Sequence, residues 1–212
     1  MGRSLSPRLL LLTGLLASSP AAYAGDEPSK ATPPEGAAPA RKGLSHKYQV
    51  GLGVRVGSGY RIVAPYHEEF CGDKDDKGTP KSVCGGMYPF WIEFSPSFGI
   101  TSSWEVFVDF RLPLATPRFS DARGFFLSPG LKYYTDPDGL FKMFLTFQPV
   151  FEFQGQATAG LANFDFGVRS VLGVNFDVLR YLGLYAQAGV ILGFTRWLTF
   201  TADFGGGIQV RY

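Results

Sequence analysis

The sequence predicts an all-β fold: an eight-stranded antiparallel up-and-down β-barrel that crosses a membrane. Three observations predict it. Eight segments between Lys47 and Tyr212 alternate apolar and polar residues with a period of two, which is the period of a strand. After the first 24 residues, no uninterrupted apolar run approaches the roughly 20 residues that a spanning helix needs. The polar face carries glycines together with charges of both signs, a combination that suits a crowded interior better than a solvated surface.

The first strand, Lys47–Ile62 (KYQVGLGVRVGSGYRI), sets Tyr48, Val50, Leu52, Val54, Val56, Ser58, Tyr60 and Ile62 against Gln49, Arg55, Arg61 and four glycines. The second, Met87–Phe98, opposes Tyr88, Phe90, Ile92, Phe94 and Phe98 to Trp91, Glu93 and Ser95. The third, Trp104–Leu114, opposes Trp104, Val106, Val108, Phe110 and Leu112 to Glu105, Asp109 and Arg111. The fourth, Phe125–Tyr134, places Leu127, Leu131 and Tyr133 outward and Ser128, Gly130 and Lys132 inward. The fifth, Phe141–Gln154, opposes Phe141, Met143, Leu145, Phe147, Phe151 and Phe153 to Lys142, Thr146, Gln148, Glu152 and Gln154. The sixth, Phe164–Val178, turns Asp165, Arg169, Asn175 and Asp177 inward; the seventh, Leu182–Phe194, does so with Tyr185 and Gln187. The eighth, Leu198–Tyr212, turns Thr199, Thr201, Asp203, Gln209 and Arg211 inward. Five prolines fall in or beside strands, where a missing N–H breaks a ladder. Pro89 and Pro113 suit the rims; Pro129 and Pro149 are expected to mark bulges.

Connections alternate between long or medium and short, with the tight turn Asp136-Pro137-Asp138-Gly139 as the sharpest. The seventh, Thr195–Trp197, departs from that alternation. With the short turns on one side, Tyr48, Trp104, Tyr133 and Tyr212 gather at that rim as an interfacial girdle, while Phe, Leu and Val fill the middle. The polar faces hold seven cations (Arg55, Arg61, Arg111, Lys132, Lys142, Arg169, Arg211) and seven anions (Glu93, Glu105, Asp109, Glu152, Asp165, Asp177, Asp203). Glycine on a solvated strand costs roughly 0.5–1 kcal/mol relative to alanine, so its concentration on the polar face marks the inside, where it makes room for large neighbours. The greasy face therefore meets lipid.

Before the barrel, residues 1–24 read as a signal peptide. Arg3 and Arg8 precede a 9-residue apolar core, Leu9–Ala17, and Ala22-Tyr23-Ala24 offers a small-x-small cleavage site. Residues 25–43, rich in Pro, Ala and charge, read as a flexible arm, and residues 44–212 as the barrel. Without the leader, which carries two of the 20 basic residues, 18 basic face 18 acidic ones. That balance argues against a nucleic-acid binder, which needs a basic surplus. Cys71 and Cys84 meet oxidising conditions after export and read as a disulfide. Two thiols alone would leave a tetrahedral metal shell half empty, and nothing in the chain asks for a metal or a cofactor.

Leader, arm, eight alternating strands and a terminal lipid-facing aromatic resemble the small bacterial outer-membrane β-barrels. The ending FGGGIQVRY, with Tyr212, Val210, Ile208 and Phe204 on one face, resembles the assembly signal of that class. The resemblance covers Tyr48–Tyr212. It implies a bacterial outer-membrane location, the short turns in the periplasm, outer-membrane lipid as surroundings, and the barrel-assembly machinery as partner during insertion.

Three functional readings follow. In the first, the lumen is filled by ion pairs, chiefly Arg55, Arg111 and Arg169 with Glu93, Asp109 and Asp165, and the barrel serves a structural or surface-interaction role. Its long loop 63–86, with HEEF, DKDDK and both cysteines, is then the candidate site for an extracellular ligand. In the second, the inward Trp91, Phe107, Phe126, Phe144, Tyr185 and Ile191 line a narrow channel or a carrier for small apolar molecules. In the third, the barrel is an enzyme. A hydrolase of this kind needs a near-neutral base, and only His46, at the periplasmic rim, and His67, beside Glu68 and Glu69, are available. The non-enzymatic reading is the one the sequence favours.

Overall fold

The computed structural model describes residues 45–66, 74–116, 124–153 and 164–212. The leader, the arm, Cys71 and His67 lie outside them. Eight strands run in order: β1 (Val50–Ala64), β2 (Cys84–Gly99), β3 (Trp104–Pro113), β4 (Phe125–Tyr134), β5 (Phe141–Phe153), β6 (Phe164–Leu179), β7 (Leu182–Gly193) and β8 (Leu198–Arg211). Each pairs antiparallel with the next, and β1 pairs with β8 to close the barrel. Closure leaves no sheet edge, the one β-architecture that satisfies its backbone within lipid.

The apolar faces look outward. Val56, Phe110, Leu131, Leu145, Leu172 and Phe204 are all exposed, as a lipid-facing wall requires. The fourteen charged residues on the alternate positions are all buried. Strands of 10 residues suffice to cross; β1, β2 and β6, at 15 or 16, extend past that length on the long-loop side. At the opposite rim, Trp104 and Tyr133 are register partners with ring centroids 4.9 Å apart. Tyr48 precedes β1 rather than opening it, in a turn with φ 60°.

One bulge redirects a side chain. Gly57 pairs with Trp91, but Gly59 pairs with Tyr88, so β2 carries an extra residue at Pro89–Phe90. Strict alternation puts Tyr88 toward lipid; the bulge turns it inward, to 2% exposure, while Phe90 stays outside. Ser58, also on the lipid side by alternation, is covered here and donates its hydroxyl to the Tyr88 carbonyl at 2.8 Å.

The expected bulges at Pro129 and Pro149 do not form. On either side, Leu127 pairs with Phe151 and Leu131 with Phe147, which is one unbroken register. That register sets Pro129 opposite Pro149, and the ladder pairs missing between β4 and β5 centre on them. Both absent N–H groups thus fall on one interface, while Val108↔Pro129 and Pro149↔Val168 keep the neighbouring ladders whole.

Candidate functional site: a filled lumen

The interior is stacked in layers. Its central layer is a salt-bridge lattice assembled from five strands. Arg55 of β1 is the register partner of Glu93 on β2, which is in turn the partner of Arg111 on β3, so one cross-strand row alternates in sign. Arg55 pairs with Glu93 and, at 2.5 Å, with Asp109, and it donates to Gln187. Arg111 reaches Glu93 and Asp203, each at 2.7 Å. Arg169, from β6, bridges Asp109 at 3.2 Å and Asp203 at 3.0 Å. The lattice is neutral: three guanidinium groups meet Glu93, Asp109 and Asp203. Burying any one alone would cost several kcal/mol; paired and hydrogen-bonded they persist, and the planar forks of arginine suit carboxylates arriving from different strands. Of the predicted network, Arg55, Glu93, Asp109, Arg111 and Arg169 come together here. Asp165 does not. It sits at the outer end of β6, where its carboxylate accepts the backbone N–H groups of Thr195 at 2.8 Å and Arg196 at 3.1 Å, holding the tight β7–β8 turn. Asp203 occupies the place that alternation left open among several acids.

Above the lattice, toward the loops, Tyr88, Trp91, Phe126, Val150 and Ile191 form a buried cluster. The Arg111 guanidinium lies 4.0 Å from the Trp91 ring centroid, a cation–π contact that joins the two layers. Gly57 faces Trp91 directly; a Cβ there would collide with the indole and with the Phe204 carbonyl. Arg61 and Glu152 close this level with a two-pronged pair at 2.6 and 3.2 Å. Higher still, Val63 and Cys84 pack against Trp197.

Below the lattice lie Tyr134, Phe144, Val171 and Tyr185, and then a second polar layer. Lys132 pairs with its register partner Glu105 at 3.0 Å, and Arg211 reaches Asp177 at 3.2 Å. Lys142 contacts Asp177 at 2.6 Å. Into this layer tucks His46, 2% exposed, its Nε2 3.0 Å from Asp177 and 2.9 Å from the Lys142 ammonium, its ring edge-on to Tyr134. Burial pulls the His46 pKa below its ordinary value, aided by Arg211 and Lys142 and opposed by the Asp177 hydrogen bond. The sequence alone places His46 at the rim. No alternation precedes β1, so nothing local signals that residue 46 turns back into the barrel mouth. Tyr48 N to the Gly99 carbonyl at 2.8 Å fastens that return.

The void beside Glu93, Asp109, Arg111, Phe126, Ser128 and Arg169 amounts to about 180 Å³ of interatomic space, with no position wide enough for a water molecule. Among the described residues, no group of three or more His, Cys, Asp or Glu side chains is placed to hold a metal. The outer hairpin that follows the undescribed part of the first loop is shaped by Asp75, whose Oδ1 accepts Lys77 N and Thr79 N, and by Gly78 at φ 79°.

No protein-family model and no curated protein sequence matches the chain. Solved structures do match. Neisserial surface protein A (NspA) is 13% identical with a TM-score of 0.53, the match covering 77% of this chain and 97% of that one. The N-terminal β-barrel domain of Pseudomonas aeruginosa OprF is 9% identical with a TM-score of 0.50, covering 78% and 98%. Such identities speak to fold alone, and the fold they share is the one drawn above. With its closed wall, outward apolar belt and inward charges, this chain has the fold of the small eight-stranded transmembrane β-barrels to which it is similar.

Proposed function

We propose that the protein is a non-conducting, non-enzymatic barrel, whose membrane-spanning part is a rigid support and whose outer loops carry any recognition. The observation that carries this reading is the neutral lattice of Arg55, Arg111 and Arg169 with Glu93, Asp109 and Asp203, which crosses the lumen at mid-wall and whose flanking void is too narrow for a water molecule. An ion or small solute would have to displace paired charges and the aromatic layers on both sides. The channel and carrier readings require such displacement; the filled lumen opposes them. Loop 63–86, in which we read Cys71 and Cys84 as a disulfide pair from the sequence, remains the candidate for an extracellular ligand. Single-channel recording in a planar bilayer tests the reading: the parent is expected to stay silent. Long-lived openings of uniform size, altered by Arg55→Ala, would replace it with a channel.

A further inference from the structure

The segment before β1, residues 45–49, forms a strap at the short-turn mouth. Its backbone is pinned to the end of β2: Tyr48 N donates to the Gly99 carbonyl at 2.8 Å, and Gly99 N to the Gln49 carbonyl at 2.9 Å. The strap runs so close to Gly99 that a Cβ there would collide with the His46 carbonyl. Tyr48 makes its turn with φ 60°, in the left-handed region, where any residue but glycine stores strain. A strap entered through a strained turn needs an anchor. Of its five residues only His46 is buried.

That anchor fits only as a neutral ring. An ammonium can donate but not accept, so Lys142 of β5 donates both to Asp177 Oδ2 at 2.6 Å and to the His46 Nε2 lone pair at 2.9 Å. A proton on Nε2 would set two donors face to face. Asp177 of β6, 3.0 Å from Nε2, favours that proton, but it already accepts from Lys142, from Arg211 of β8 and from Asn175. The other titratable groups of this layer are Glu105 of β3, which pairs with Lys132 and Arg211, and Lys132 and Tyr134 of β4; Asp138 acts on Lys142 from the β4–β5 turn. Burial, Arg211 and Lys142 outweigh Asp177, and the His46 pKa falls below 6.5. Nδ1, enclosed without an acceptor, leaves the docking weak. Outside the mouth the same imidazole takes its proton at the ordinary pH, so acid favours the undocked strap.

We infer that residues 45–49 are an acid-released strap: at neutral pH His46 docks them in the short-turn mouth, and its protonation frees them, uncovering Lys142, Asp177 and Arg211. The test is hydrogen–deuterium exchange of the full protein in lipid nanodiscs, read by NMR at pH 7.5 and 5.5, each rate scaled to the unfolded chain at the same pH. The amides of Tyr48 and Gln49 report the strap; those of Leu52–Val56 report the barrel. On acidification the strap amides are expected to lose protection by up to about tenfold, the limit for an imidazole of ordinary pKa that gains its proton only when released, while the barrel amides hold theirs. His46→Gln keeps a polar side chain that does not titrate and is expected to give the same strap protection at both pH values. Gly99→Ala alters no titratable group but crowds the His46 carbonyl, and is expected to expose the strap amides at both. Heat-modifiable gel migration confirms that each variant remains folded. A loss below twofold in the parent, an equal loss from the barrel amides, a pH response that survives His46→Gln, or parent-like protection in Gly99→Ala overturns the assignment.

Discussion

Replacing Arg169 by methionine tests whether the central lattice behaves as one balanced unit. Arg169 is 2% exposed and touches Asp109 at 3.2 Å and Asp203 at 3.0 Å. Arg169→Met keeps much of the side-chain bulk but leaves Arg55 and Arg111 facing Glu93, Asp109 and Asp203, one buried negative charge in excess. Removing one member of a buried pair costs about 3–5 kcal/mol, most of it the penalty of the charge left behind. Arg169→Met/Asp203→Asn restores neutrality, so it is expected to recover more than half of that loss, roughly 2–3 kcal/mol, and to fall well short of the sum of the two single variants. The assay is urea unfolding of protein refolded into lipid vesicles, read as a shift in midpoint at constant slope. If Arg169→Met unfolds at the parent's midpoint, or if the double variant is simply the sum of the two singles, the lattice is not a coupled network and the reasoning fails.

Other expectations follow from the same geometry. Val108, on the lipid face between Pro129 and the β2 wall, should tolerate no charge: Val108→Arg is expected to cost about 2–4 kcal/mol in the same vesicle assay. His46 has its pKa lowered in the folded state, so the unfolded chain binds more protons as pH falls through 6.5. Stability from this group is therefore present above that pH and declines below it; the urea midpoint should fall on acidification, and His46→Gln should flatten that part of the profile. Gly57→Ala should destabilise by about 1–3 kcal/mol, because the added methyl meets Trp91 and the Phe204 carbonyl, as read by the same midpoint shift. Cys71 and Cys84 are expected to be paired, so intact-mass analysis after alkylation without reductant should find no labelled thiol; two labels would refute the pairing.

Much of the wall was legible because a membrane barrel writes its register into alternation. A one-residue slip would put Arg55 or Glu93 into lipid, so the pattern cannot drift far. The inward place of Arg111, Lys132 and Arg169 follows from parity alone. What parity could not reach were local departures. The extra residue at Pro89–Phe90 inverts Tyr88, and alternation carries no mark of it beyond the proline itself. Pro129 and Pro149 were visible as interruptions, but their cancellation depends on two strands being in register, which neither strand states by itself. Which carboxylate meets which guanidinium depends on the stagger around the closed barrel; hence Asp203 joins the lattice from β8 while Asp165, equally acidic and inward, sits near the rim holding a turn. His46 belongs to a segment without periodicity, and only the return of the chain toward Gly99 places it.

The native tryptophans test most directly whether lipid lies outside the wall and a closed lattice inside it. Trp91 is fully buried over Arg111, whereas Trp104 stands 44% exposed in the interfacial girdle. Variants retaining one or the other can be refolded into vesicles and quenched from both sides, with acrylamide from water and brominated phospholipid from the bilayer. Acrylamide is expected to leave Trp91 emission nearly untouched, and brominated lipid to quench Trp104 more strongly than Trp91. Efficient acrylamide quenching of Trp91 would mean a water-filled lumen, and stronger lipid quenching of Trp91 than of Trp104 would mean that the faces are reversed.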